Sequence, residues 1–373
     1  MSSPSNDKPT LVVFLGGGGT GEMERVVYGA RWAASLDSIE TALSTGAFKD
    51  AVLATDDPAL RTDTPGVIID ADPGPFHFGR RLAGVIRRHH LSLVFYLGGG
   101  SVPLLAAGEF EQIARALAGG SAVTNNIYST DLAAFPIREP TVGVVEVVFR
   151  DNSLSKALAE GTAMAFESLP RTPATQMDID GPTDIAVLAL SGLGGRRLQA
   201  YLQTVTLDLA RYRRLLPLFT DTSAQIVVAG RVGSHAWQYL ERETACRVRL
   251  FAEERGMEAE GRAETGEARA LLGFFLHEVG PKRFFAAMTE LGDAALVDTR
   301  VLLAHEGIAA SREDRFLSDT GRWREISEPW LREFTHAATE APIPVLLGGH
   351  SLMSGGLMLL NEHAWSEKDA GLI

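Results

Sequence analysis

Cysteine is nearly absent. Cys246 is the only one in 373 residues, so no internal disulfide can form and a reducing compartment is the simplest setting. Basic charge is also scarce: 35 Lys and Arg face 47 Asp and Glu, a formal net charge of −12. Such a surface repels phosphate backbones and argues against a nucleic-acid partner, although a local basic patch can still hold a small anion. No apolar run is long enough to cross a bilayer, so no membrane partner is expected. Residues 1–9 are polar and lack the charged-then-apolar order of a secretory signal; they read as a disordered leader, and the protein as cytoplasmic. The Gly-x-Ser-x-Gly nucleophile elbow is missing, and His277-Glu278 lacks the second histidine of a zincin. These absences set aside serine-hydrolase and metalloprotease chemistry.

What is present is a normal soluble composition, 45% hydrophobic and 22% charged, in a chain too long for one ordinary core. The first half alternates apolar runs with amphipathic stretches. Residues 11–15 form a continuous apolar run ending in glycines, as in a buried parallel strand. A helix is expected over 37–45, with Ile39, Ala42 and Leu43 on one face and Gly46 as its stop. Strands are expected at 51–55, 67–69 and 91–97, with a helix at 78–90 placing Leu82, Val85 and Ile86 inward. A helix over 109–117, a strand over 142–149 and a helix over 153–166 complete the alternation. The fold class this implies is α/β, an open, mostly parallel, Rossmann-like sheet with helices on both faces. After the turn Ser191-Gly192-Leu193-Gly194-Gly195, long amphipathic stretches dominate at 198–216, 234–252, 268–279, 281–291 and 328–339. Residues 224–229 are a buried strand or helix. The expected division is 10–192 for the α/β domain and 193–373 for a mainly helical carboxyl-terminal domain.

Three signals in the first half carry chemistry. The run Leu15-Gly16-Gly17-Gly18-Gly19-Thr20-Gly21 follows a strand, where backbone N–H groups can cradle phosphates. It also fits Gly-x-Gly-x-x-Gly, but the acidic ribose partner of a dinucleotide site belongs about 20 residues on, and Asp56 is too distant. A second glycine run, Gly98-Gly99-Gly100-Ser101, ends the strong central strand; it is a floor for a base, sugar or acceptor, or a turn that redirects the chain. Farther on, Asp178 and Asp180 lie in Met177-Asp178-Ile179-Asp180-Gly181-Pro182-Thr183-Asp184-Ile185. Alternate carboxylates at a strand end can hold a divalent cation; the competing use is capping of the helix that starts near Pro182.

Read in order, these motifs resemble the nucleotidyltransferase branch of the GT-A fold, and within it the molybdenum-cofactor guanylyltransferases and the 2-phospholactate guanylyltransferases. Residues 15–23 follow the family's opening loop, 98–105 its central-strand motif, Thr124-Asn125-Asn126 its Thr-Asn-Ala step, and 178–185 its Asp-x-Asp motif. The likeness covers about residues 10–192, and the carboxyl-terminal half is an addition. The motifs are degenerate: the family's loop arginine is Glu22 here, its lysine is missing from 24–28, and its first metal-binding aspartate falls on Gly99, Gly100 or Ser101. The resemblance implies transfer of a nucleotidyl group from an NTP to a small phosphorylated or carboxylated acceptor. Leu15, Gly16, Gly17, Gly18, Gly19, Thr20, Gly21, Gly99, Gly100 and Ser101 would bind the nucleotide. Arg25 and Asn125 would be catalytic, and Asp178 and Asp180 would hold Mg²⁺. The alternative is a non-catalytic protein of the same fold that binds a nucleotide or nucleotide sugar. The carboxyl-terminal domain would supply acceptor specificity or a homodimer contact.

Overall fold

The computed structural model describes residues 8–373; the leader expected over 1–9 lies mostly outside them. The chain divides into two compact units. One comprises the residues through Gly18, Gly29–Thr175 and Gly194–Leu198, and the other Gly19–Tyr28, Gln176–Leu193 and Gln199–Ile373. The glycine run is thus divided after Gly18, and the segment bearing Asp178 and Asp180 is counted with the carboxyl-terminal half.

The first unit is built on seven strands: β1 (Thr10–Leu15), β2 (Ala51–Thr55), β3 (Val67–Ala71), β4 (Leu93–Gly98), β5 (Ala122–Thr124), β6 (Leu132–Pro136) and β7 (Phe166–Ser168), in the order β3-β2-β1-β4-β6-β5-β7. All neighbours are parallel except β6, which runs antiparallel to β4 and β5. Every residue of β1 and β2 is buried, which explains why these strands read as unbroken apolar runs. Alternate residues serve opposite faces. Val12, Phe14, Val52, Val94 and Tyr96 pack with Phe78, Leu82, Val85 and Ile86 of the helix Phe78–Arg88. Phe95 meets Phe48 and Phe110 through ring contacts. The sheet is therefore covered by helices on both faces, as the alternating pattern implied.

One sequence expectation fails here. The run over 142–149 is not a strand; it holds the helix Thr141–Glu146. Its β-branched valines suggested extension, but the buried positions are Thr141, Val145 and Val148, a helical spacing, and Val147 and Phe149 are exposed. The helix expected at 37–45 is the end of one longer helix, Glu22–Ser44, closed at Gly46 with a φ of 67°. Strand β6 was not anticipated, since Leu-Ala-Ala-Phe-Pro carries little β-propensity and owes its conformation to burial between β4 and β5.

The second unit is mainly helical, as expected, and adds a four-stranded parallel sheet of β8 (Gln225–Gly230), β9 (Arg247–Ala252), β10 (Ala294–Asp298) and β11 (Val345–Gly348), in the order β11-β10-β8-β9. The 224–229 run is a strand. The stretch 234–252 splits into the helix Ser234–Glu243 and β9. Among the described residues, no helix is long and apolar enough to cross a membrane.

Candidate functional site

In the first sheet the chain leaves β1 for β2 and β3 on one side, then returns to β4 on the other. The connections that follow β1 and β4 lead to opposite sides of the sheet, a topological switch point of the kind where open α/β sheets hold ligands. The register pairs Phe14 with Gly98, so the two glycine turns leave neighbouring strands, and Gly99 packs against Phe14 and Leu15. The close approach requires glycine. The Gly99 N–H donates to the Phe14 carbonyl at 2.7 Å, and a Cβ on Gly99 would lie 2.6 Å from that same oxygen. Gly100 has a φ of 86°, and a Cβ there would meet the Arg31 side chain at 2.7 Å. Arg31 Nε donates to the Gly99 carbonyl at 2.7 Å, which clamps the second glycine turn.

Asp56, at the end of β2, completes this site and was missed as a partner of the loop. Its Oδ2 accepts the Gly17 N–H at 3.0 Å, and a Cβ on Gly16 would lie 3.2 Å from its Oδ1. Sequence reasoning weighed Asp56 only as a ribose ligand and dismissed it on spacing; its place at the end of the strand neighbouring β1 was the usable signal. An acid of the chain itself thus engages the Gly17 N–H of this turn.

The rest of the glycine run belongs to the second unit. There the Thr20 and Gly21 N–H groups both donate to Glu24 Oε2 at 2.9 Å, and the Gly21 hydrogen bond foremost holds that carboxyl below its ordinary range. Glu313 accepts from Met23 N and Glu24 N at 3.0 and 2.9 Å, placing a carboxylate at the positive end of the helix Glu22–Ser44. Glu22 pairs with Arg322 at 2.7 Å. Arg25 Nη1 donates to the Thr20 carbonyl, so this arginine braces its own turn.

Asn125 does not fit the catalytic role expected of it. The residue is 1% exposed, its Nδ2 donates to Asp131 Oδ2 and the Thr175 carbonyl, and its Oδ1 accepts from Asp131 N and Leu132 N. Every polar position of the amide is occupied in tying the loop to β6, as asparagines in turns commonly do.

Asp178 and Asp180 also sit in a structured turn. Asp178 is bound through its main chain to Ser351, whose Oγ donates to the Asp178 carbonyl at 2.8 Å. Asp180 is exposed. The capping of the next helix, Pro182–Ser191, falls to Asp184, whose Oδ2 accepts from Asp180 N and Gly181 N at 2.9 and 2.8 Å. Burial pushes the Asp184 carboxyl well above its ordinary range, with Asp180 adding to the effect. Among the described residues, no group of three or more His, Cys, Asp or Glu side chains is gathered to hold a metal. Two aspartates alone are a partial set for Mg²⁺, which takes six oxygens in near-octahedral order.

No family model matches the chain, and no curated protein matches it. Several solved structures resemble it in shape. A CMP:2-keto-3-deoxy-manno-octonic acid synthetase complexed with CTP is 12% identical, covers 44% of this chain and 89% of its own, and has a TM-score of 0.31. A 4-diphosphocytidyl-2C-methyl-D-erythritol synthase from Anaerococcus prevotii is 13% identical over 48% of this chain and 94% of its own, with a TM-score of 0.36. A cytidylyltransferase from Leptospira borgpetersenii is 12% identical over 52% and 92%, with a TM-score of 0.35. At these scores the likenesses assign no activity to this chain.

Proposed function

We propose that the first unit binds a nucleotide across the carboxyl ends of β1 and β4 and acts in nucleotidyl transfer to a small phosphorylated or carboxylated acceptor. The observation that carries this reading is the pairing of two glycine turns on adjacent strands at the point where the chain's connections part. Backbone N–H groups at Gly16 and Gly18 would receive phosphate oxygens, and that at Gly17 would do so once Asp56 releases it. Transfer of this kind asks for positioning and charge stabilisation more than covalent chemistry. No step is assigned to a metal ion.

A second reading is a protein of the same fold that binds a nucleotide or nucleotide sugar without turnover. The Asp56 carboxylate on the Gly17 N–H favours it, since an acid at that distance opposes a polyphosphate. A thermal-shift panel of NTPs and nucleotide sugars, each with and without Mg²⁺, separates the two when combined with a pyrophosphate-release assay. Stabilisation by one NTP with acceptor-dependent pyrophosphate release supports transfer. Stabilisation without release supports the binder. The absence of any shift sinks both.

A further inference from the structure

One helix of the second unit turns an apolar stripe outward. The helix Leu271–Leu291 is broken at Gly280, whose φ is 74°. In its first segment Leu272, Gly273 and Leu276 are buried, as the inward face of an amphipathic helix should be. Leu271, Phe274 and Phe275 lie on the opposite face and are 69%, 55% and 38% exposed. Single exposed apolar side chains are ordinary. Three at i, i+3 and i+4 adjoin one another, and contiguous apolar surface of this kind marks a place of contact.

The stripe belongs to a well-anchored segment. Glu253 Oε1 and Oε2 accept the Leu271 and Leu272 N–H groups at 2.6 and 3.4 Å, which fixes the start of the helix. Beneath it, a Cβ on Gly273 would collide with the His305 ring, whose Nδ1 accepts the Ala270 N–H at 3.1 Å. Phe274 stands edge-on to His305 with ring centroids 4.5 Å apart, and Phe275 tilts against Phe284 at 6.0 Å. Both rings are thus held in position while presenting surface to solvent.

The charges around the stripe identify its occupant. Several neighbours pair within the chain: Arg283 with Glu290 at 2.7 Å, His277 with Glu306 at 3.2 Å and Arg262 with Glu254 at 3.0 Å. Four exposed charges do not. Glu267 and Arg269 precede the stripe, Glu278 lies on it one turn beyond Phe274, and Lys282 follows the break at Gly280. Glu267 accepts only the Thr265 hydroxyl, and Arg269 donates to the Gly266 and Ala268 carbonyls. None of the four has an ion-pair partner among the described residues.

Their order complements itself on reversal. Arg269 comes five residues before Phe274 and Glu278 four after it; Glu267 comes seven before and Lys282 eight after. Two such segments crossing antiparallel at Phe274 bring the Arg269 end of each onto the Glu278 end of the other, and Glu267 toward Lys282. A parallel pairing would bring like charges together. A two-fold contact demands this reciprocity, residue i on j and j on i, whereas an unrelated partner would not.

From this self-complementarity we infer that the second unit pairs with a second copy of the chain through residues 271–279, the two segments antiparallel about a two-fold axis at Phe274. The inference is independent of the nucleotide reading. The test is sedimentation equilibrium of the full 40.1 kDa chain. The wild-type mass should rise with concentration toward twice that value. Leu271→Asp should stay at the monomer mass with a wild-type denaturation midpoint. Glu278→Arg should weaken association about tenfold, because the axis repeats each ion pair, and adding Arg269→Glu should restore it. Phe274→Cys treated with a short bismaleimide should give a cross-linked dimer, and Arg115→Cys, on an exposed position of the helix Ala107–Ala118, should not. The inference is overturned if the wild type keeps the monomer mass at every concentration, if Leu271→Asp associates as the wild type does, if the doubly reversed variant does not recover association, or if the two cysteine variants cross-link alike.

Discussion

The Asp56 carboxylate engages the Gly17 N–H at 3.0 Å, so the first glycine turn holds an acid of its own chain where a phosphate oxygen would compete. Asp56→Asn keeps an oxygen for that N–H and removes the charge. One unit charge at 4 Å is worth about 1 kcal/mol in water, so NTP affinity should rise by roughly fivefold. Isothermal titration of wild type and variant with the best-binding NTP checks this. Equal or weaker binding by the variant would remove the phosphates from this turn.

Gly79 leaves no room for an added methyl group. A Cβ there would lie 2.1 Å from the Val145 carbonyl, 2.6 Å from that of Val148 and 2.9 Å from that of Glu146. All three are backbone atoms, so no side chain can turn aside. Gly79→Ala should therefore destabilise the protein by about 2 kcal/mol, within the range for overpacking, although alanine is the better helix former. Urea denaturation measures it, and an unchanged midpoint would mean that the helices Phe78–Arg88 and Thr141–Glu146 do not pack this closely.

The first sheet was legible where burial on both faces left its mark on the sequence, in β1, β2 and β4. It was illegible where context overrode propensity. The valines of 142–149 favour extension, yet they pack as a helix against Gly79. Ala294-Ala295-Leu296-Val297-Asp298 is too short and alanine-rich to declare itself a strand, and it becomes one through pairing with β8 and β11. The glycine turns were found because close backbone approach leaves glycine no substitute. The contact of Asp56 with the glycine turn was not foreseen because it spans 39 residues of sequence and depends on strand order. That Asp298 and Arg300 each face a buried, oppositely charged partner follows only from the three-dimensional arrangement.

Asp70 should dominate part of the acid response. Burial alone would raise its carboxyl, but hydrogen bonds from Arg88, His89 and Arg81 outweigh it and hold the pKa at about 2, against an ordinary 3.8. A depressed carboxyl contributes stability that is fully present above its unfolded value and is lost as pH falls through the folded one. That window runs from about pH 4 to pH 2, and the contribution is roughly 2 kcal/mol. Asp70→Asn should lower stability at neutral pH and flatten the decline between pH 4 and pH 2. Denaturation midpoints across that range check both signs. A variant with the wild-type acid slope would contradict the assignment.

Cys246 should be unreactive in the native protein. It is 7% exposed, and burial foremost pushes its thiol up to about 11, so almost no thiolate exists at pH 8. Ellman's reagent should detect no fast-reacting thiol before denaturant is added and one afterwards. Rapid reaction in the native state would place the thiol at the surface.

Arg231 and Asp298 permit a test of what buried charge does in the second unit. The Asp298 side chain is fully buried and that of Arg231 is 10% exposed. Removing one partner strands the other, which typically costs 3–5 kcal/mol, so Asp298→Ala should destabilise by about that amount. Replacing both, as Arg231→Met with Asp298→Leu, removes the stranded charge and should recover most of the loss, less whatever the lost Asp298 cap on the helix Thr299–Glu306 contributes. A double variant as unstable as the single one would show instead that the pair holds β8 against β10.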